Sequence, residues 1–355
     1  VDSAIASARQ AFSRHDWPAA HDAFMSADSE GALETADLRM FADAAWWSGK
    51  PDLAVETLER AFAEYSSAGD RTAAAIIAVQ LAYLAVRRMA GAVAFGWMAN
   101  AEHLLEAEPE GPGHAWLSMM QTAKALFVGN DYPAAIENGE RAVALGRKHL
   151  VPDVTARALG LLGSAHIAMG AWEEGLALID EATAAIATGA LDPRSACDVY
   201  CNTISCCAIL GDFQRAGQWT EEATRWMERR SLGGYPGQCR VHRAEVMRMR
   251  GHYPEAEREA RAAGDQLEGY RMLDVVGAAQ YEVGQVRLRM GDLEGASAAF
   301  DRAYEYGHHA QPGLALLQLE IGQLPAQRHR PRRRVALGKL FGKDRPGLEG
   351  LPQRQ

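Results

Sequence analysis

Gly251-His252-Tyr253-Pro254-Glu255-Ala256-Glu257-Arg258-Glu259-Ala260-Arg261-Ala262-Ala263 is answered forty residues on by Gly291-Asp292-Leu293-Glu294-Gly295-Ala296-Ser297-Ala298-Ala299-Phe300-Asp301-Arg302-Ala303. Three features hold their places: an aromatic or apolar residue two after the glycine, a small residue five after it, and another twelve after it. The same columns start at His15, Gly49, Gly91, Asn130, Gly170 and Gly211, which makes eight copies. The second position is filled by Trp17, Pro51, Val93, Tyr132, Trp172 and Phe213 in those copies, and the fifth by Ala20, Ala54, Gly96, Ala135, Gly175 and Ala216. The twelfth holds Ala27, Ala61, His103, Ala142, Ala182 and Ala223. Counted from Gly91, the third copy is the degraded one.

This pattern describes a helical hairpin. A glycine ends one helix in the left-handed region and lets the chain turn sharply. The aromatic residue fills the corner, and the two small residues let the second helix approach the first. Small residues also stand seven before the turn, at Ala42, Ala123, Gly163, Ala244 and Gly284. Stretches such as Glu108-Pro109-Glu110-Gly111-Pro112-Gly113 and Ser231-Leu232-Gly233-Gly234-Tyr235-Pro236-Gly237 break helices between copies. With no alternating strand pattern in competition, the chain is expected to be all-α.

These columns resemble the tetratricopeptide repeat, over about residues 1–323. The resemblance implies a right-handed superhelix of about eight hairpins, each burying a face on the next. The period is near 40 residues against the family's 34. The excess is expected in the loop after the second helix.

Composition supports a packed array. The chain of 355 residues is 48% hydrophobic and 23% charged, which excludes bulk disorder. The net charge of −9 is unevenly spread. Residues 324–355 hold nine Arg and Lys against Asp344 and Glu349, so the array is acidic and the tail, 324–355, is basic and expected to be disordered. No apolar run is long enough to span a bilayer. The start, Val1-Asp2-Ser3-Ala4-Ile5-Ala6, lacks a secretion pattern, and five cysteines do not form a disulfide framework in a chain of this length. A cytoplasmic location is the expectation, with no membrane partner.

Three segments carry a narrower resemblance: Val199-Tyr200-Cys201-Asn202, Gly237-Gln238-Cys239-Arg240-Val241-His242-Arg243-Ala244-Glu245 and Gln311-Pro312-Gly313-Leu314-Ala315-Leu316-Leu317. They look like parts of the repeat region of actinobacterial LuxR-type (MalT-like) transcriptional regulators. That resemblance implies a sensing array in a transcription-control protein, but two parts of such proteins have no counterpart here. No phosphate loop occurs, since Gly338 to Lys343 has the wrong spacing and is followed by Asp344. No helix-turn-helix follows the array. A ninth repeat starts over Pro312 to Gly322, then gives way to Arg328-His329-Arg330-Pro331-Arg332-Arg333-Arg334. The expectation is a reading frame broken near Gln323, or a truncated paralogue.

In such arrays the first helix of each hairpin lines the concave groove. Aligned on the turn residue, polar residues recur 13, 9 and 6 positions before it, on one helical face. The richest run covers the last three hairpins: Asp198, Asn202, Ser205, Gln238, His242, Glu245, Glu282 and Gln285. Arg157, Gln121, Asp43, Lys124 and Ser164 extend the same columns upstream. This run would suit a protein or peptide partner, or a small polar effector; a merely solvated face is the plainer alternative.

Cys197, Cys201, Cys239 and His242 could in principle converge on a metal, but their spacing matches no close-paired zinc motif, and Cys206 falls in a column of core residues. Structural cysteines are expected, with no metal and no cofactor. No H-E-x-x-H, G-x-S-x-G or dinucleotide fingerprint occurs, so an enzyme is not expected. The leading reading is a non-catalytic interaction or effector-sensing array of a LuxR-type regulator. Two alternatives stay open. One is a DNA-binding regulator acting through another chain or the basic tail, whose hold on nucleic acid would be weak and salt-sensitive. The other is a general assembly scaffold.

Overall fold

The computed structural model describes residues 2–31, 33–230, 232 and 238–322. Among them all regular structure is helical, and the helices pair as hairpins. The first three pairs are α1 (Asp2–Ser13) with α2 (Trp17–Ser29), α3 (Thr35–Trp47) with α4 (Pro51–Ser67), and α5 (Arg71–Arg87) with α6 (Gly91–Leu105). Next come α7 (Pro112–Lys124) with α8 (Tyr132–Lys148), α9 (Pro152–Ala168) with α10 (Trp172–Ala187), and α11 (Pro193–Ile209) with α12 (Phe213–Arg229). Then α13 (Gln238–Met249) pairs with α14 (Tyr253–Gly269), and α15 (Leu273–Arg289) with α16 (Leu293–Glu305). A π-helical turn, Ala125–Gly129, extends α7, and α17 (Gly313–Glu320) stands after the eighth hairpin. The molecule is an all-α, tetratricopeptide-like repeat array. The basic tail and most of the stretch from Ser231 to Gly237 lie outside the described residues.

Every first helix ends in a left-handed residue: His15, Gly49, Met89, Asn130, Gly170, Gly211, Gly251 and Gly291. The third corrects the register read from sequence. Met89 takes φ of 58°, whereas Gly91 is already the first residue of α6. A left-handed Met costs roughly 1–2 kcal/mol, so a search for glycine passes over it. Counted from Met89, the small positions fall on Ala94 and Ala101, both buried, while Val93 and His103 face solvent. Both small columns of the third copy are intact, and only its corner position, Gly91, lacks a large side chain.

The 40-residue period has a simple composition. In α4 with α5, α8 with α9, and α14 with α15, two 17-residue helices alternate with two three-residue turns. The excess over 34 residues therefore lengthens helices rather than the loop expected to hold it. Short turns are possible because one residue serves both helices. Asp212 donates its N–H to Cys207 O (2.9 Å), closing α11, and its carboxylate accepts from Arg215 N (3.0 Å), starting α12. Asp16, Asp70, Asp131 and Asp292 repeat the arrangement, each satisfying N–H groups that a helix start leaves orphaned.

The small columns do what their size requires. All eight alanines twelve residues after the turn are fully buried. At Gly163, an added Cβ would sit 2.7 Å from Gly175 O, so the α9 and α10 backbones touch with no room for a side chain. The corner position is less uniform. Trp17 is buried and stacks on Trp47 at 5.7 Å, but Trp172 is 53% exposed.

First helices stack on first helices, α1 on α3, and α5 through α7, α9, α11, α13 and α15 to α17. The curvature then brings the array back on itself. α5 touches α15, the Trp46 ring lies 5.5 Å from Tyr270, and Arg271 reaches within 3.7 Å of Asp52. The concave side is consequently a narrow bore rather than an open trough.

Candidate functional site

The bore is lined by the first helices of hairpins two to six. α3 contributes Asp43, α5 contributes Tyr83, α7 contributes Trp116 and Met120, α9 contributes Arg157, and α11 contributes Arg194. The cleft they enclose has a volume of about 40 Å³. At roughly 10–15 Å³ for each water, a few waters fill it.

Its charges are mutually paired. Tyr83 OH donates to Asp198 Oδ1 at 3.0 Å, and Arg157 lies 3.0 Å from Asp198 Oδ2. Arg87 donates to the Tyr83 hydroxyl (3.2 Å) and to Asp274 Oδ2 (2.8 Å). Arg194 pairs with Asp43 at 3.3 Å and lies over the Trp46 ring at 4.6 Å. Arg157 lies 5.0 Å from the Tyr83 ring centre and 5.8 Å from that of Trp116. Such cation–π contacts gain strength where water is excluded. At the mouth, Arg39 is exposed to solvent.

Seclusion from bulk water sets the protonation of these groups. It raises the Asp43 and Asp274 carboxyls, against the pull of Arg194 and Arg87 respectively, and raises the Tyr83 phenol. At the cleft floor, burial and the neighbouring charge of Asp192 push Asp153 up to about 7. Burial acts against Asp192 too, but the Ser195 N–H and the Asp153 carboxyl hold it below the ordinary range. The two carboxyls thus share one proton near neutrality, the arrangement like charges adopt when packed together.

The eight residues singled out in the sequence fall into distinct places. Asp198 belongs to the bore through Tyr83 and Arg157. Asn202 ties α11 to α9, donating to Gly160 O (2.8 Å) and accepting from Ser164 Oγ (3.0 Å). Ser205, His242, Glu245 and Glu282 form a second cluster across α11, α13 and α15. His242 Nε2 lies 3.4 Å from Ser205 Oγ, and its Nδ1 lies 3.6 Å from Glu245 Oε2. Arg248 donates to Glu282 Oε1 at 2.6 Å. Burial raises Glu282 to about 7, whereas His242 and Arg248 overcome burial to hold Glu245 low. Gln285 is buried and donates to Tyr281 OH at 2.6 Å, facing α17. Gln238 opens α13, and its side chain lies outside what is described.

Ser205, His242 and Glu245 have the order of a nucleophile, base and orienting carboxylate. Ser205 sits mid-helix, however, where neighbouring N–H groups are spent on the helix and cannot hold an oxyanion. Cys201 and Cys239 bring their sulfurs within 2.7 Å, while His242 turns to Ser205 and Glu245. Among the described residues, no three metal-ligating side chains are gathered for an ion. Among them, too, no helix is long and apolar enough to cross a membrane.

Tyr83, Arg87, Arg194 and Asp274 were missed from sequence for two reasons. Counting the third hairpin from Gly91 put Ala82 and Ala85 where Gln80 and Tyr83 belong. And the polar stripe runs one helical turn beyond the columns followed at either end, with Arg87 two residues before the turn at Met89. Seventeen residues before the turn stand Asp153, Arg194 and Asp274.

No protein-family model and no curated protein matches the sequence. Solved structures do match the fold. A Rap protein crystallised with Competence and Sporulation Factor aligns over 86% of this chain and 98% of its own, with TM-score 0.50 and 11% identity. Aspartyl phosphate phosphatase F from Bacillus subtilis aligns over 80% of this chain and 74% of its own, with TM-score 0.50 and 14% identity. A Podosopora anserina putative kinesin light chain with TPR-like repeats covers 59% of this chain and 95% of its own, at 16% identity and TM-score 0.40. At these identities the likeness is one of fold.

Proposed function

We propose that the protein is a non-catalytic binding array whose bore takes a short peptide or small polar effector. One observation carries the reading. Five successive hairpins send aromatic rings, guanidinium groups and carboxylates to the same cleft, a lining suited to a ligand with both apolar and charged groups. The Rap protein of similar fold was crystallised with a factor bound, which gives the proposal a precedent in this architecture. Because the cleft holds only a few waters, a ligand enters by exchanging its own groups for the internal pairs Arg194–Asp43 and Arg157–Asp198. Binding and widening of the bore are then one event.

The finer reading is that the array senses an effector within a LuxR-type transcriptional regulator. It rests on the three segments from Val199, Gly237 and Gln311 that resemble the repeat regions of those proteins.

A thermal-shift screen with a pool of short linear peptides tests the binding reading. A ligand at about 100 times its Kd adds roughly 2.7 kcal/mol of stability. The expected hits raise the melting temperature of the parent and lose that effect with Trp116→Ala or Arg194→Ala. Hits that stabilise those variants as strongly as the parent would place the site elsewhere and overturn the reading.

A further inference from the structure

All five cysteines are buried and reduced, and two of them have a relationship the others lack. Cys201 on α11 and Cys239 on α13 hold their sulfurs 2.7 Å apart. Non-bonded heavy atoms rest at roughly 3.5–4.0 Å, and a disulfide needs about 2.05 Å. The two sulfurs are in direct contact across the α11–α13 interface, with no atom between them. Cys206 instead has Ser164 Oγ at 3.3 Å, and Cys197 lies one helical turn before Cys201 on the same helix.

We infer that Cys201 and Cys239 are a modification site that closes to a disulfide with hydrogen peroxide as oxidant. One thiol, as thiolate, attacks the peroxide oxygen, giving a sulfenic acid and releasing hydroxide that is protonated to water. The second sulfur then displaces the sulfenic hydroxyl as a second water and forms the S–S bond. Two thiols and one peroxide give one disulfide and two waters, so atoms and electrons balance. No resolving thiol has to be brought from elsewhere, because its sulfur is already in contact.

The bond would staple the sixth hairpin to the seventh. Cys201 stands three residues after Asp198, so the staple fixes α11 where it receives Tyr83 and Arg157. Its hydrogen bond to Cys239 and its burial raise the Cys201 thiol well above the ordinary range. Oxidation of the native array is therefore slow, since the thiolate that attacks peroxide is scarce at a buried, raised thiol.

The test uses the full reduced chain, treated with peroxide, then unfolded, alkylated and digested. The expected product is a single cross-link between the Cys201 and Cys239 peptides, with a mass loss of two hydrogens and a rise of several degrees in melting temperature. Cys239→Ser and Cys201→Ser each lose both changes, and Cys206→Ser keeps both. Recovery of Cys201 and Cys239 as alkylated thiols, as separate sulfinic acids, or cross-linked to other cysteines would overturn the inference.

Discussion

Arg87 and Asp274 stand 187 positions apart in the chain and 2.8 Å apart in space. The first belongs to hairpin three and the second to hairpin eight, so their contact marks where one coil of the array meets the next. An array held only by neighbouring hairpins behaves as a spring. This one is latched.

Arg87→Ala removes the latch and leaves the Asp274 carboxylate shielded without its cation. Both side chains are largely buried, so the expected loss is about 1–3 kcal/mol, below the range for fully buried pairs. Urea unfolding measures it. Small-angle scattering should also show a larger radius of gyration. An unchanged radius with an unchanged urea midpoint would mean that the latch does not hold the coil.

Met89→Gly relieves a left-handed residue in the third turn. The gain is set by removal of roughly 1–2 kcal/mol of backbone strain, less the extra chain entropy of glycine. Net stabilisation of about 1 kcal/mol is expected by chemical denaturation. A loss of stability would place the turn elsewhere.

Gly163→Ala has the opposite sign from its helix propensity. Alanine favours a helix interior by about 1 kcal/mol, but its methyl would meet Gly175 O at 2.7 Å. Overpacking costs about 1–3 kcal/mol. The melting temperature should fall, whereas Gly96→Ala, with no atom within 4 Å of the new methyl, should raise it.

Asp153 and Glu282 both titrate near 7 in the folded chain, well above their unfolded values. The folded state then binds more protons through the interval between, so stability is greatest at low pH and falls as pH rises through about 7. Glu245, Glu257 and Glu259 are held low and act in reverse, their contribution fading as pH drops into the acid range. The melting temperature should peak near about pH 5. Asp153→Asn keeps an uncharged partner for Asp192 and should flatten the limb from pH 5 to 8. An unaltered limb would show that Asp153 is not the group titrating there.

The repeat was legible because alanine at twelve residues past the turn is demanded wherever two helices must touch, and Ala27 through Ala303 record that demand. Turn position was legible at His15 and Asn130 as well as at the glycines, because the alanine columns fix it. It was misplaced only at Met89, where Gly91 two residues on drew the count. Met89 is an ordinary residue made left-handed by the hairpin, and local sequence carries little trace of that. The polar stripe included Asp198 and Arg157, which face the bore, but its richest run lay on hairpins six to eight, whereas hairpins two to six line the cleft. What it could not reveal is that α15 returns to α5, since that follows from the summed curvature of five hairpins. The pairs Arg87–Asp274 and Trp46–Tyr270 exist only because of it, and no window of sequence contains both members.

The regular alternation of 17-residue helices and three-residue turns has a consequence for how such a chain can change over generations. A repeat gene gains and loses whole units readily, and each local interface survives the event. Here, one unit added or removed between Met89 and Asp274 would leave every hairpin correctly packed, yet carry Arg87 past its partner by a full step. The contact therefore exists only for this number of repeats between them. Two residues far apart count the units for the chain.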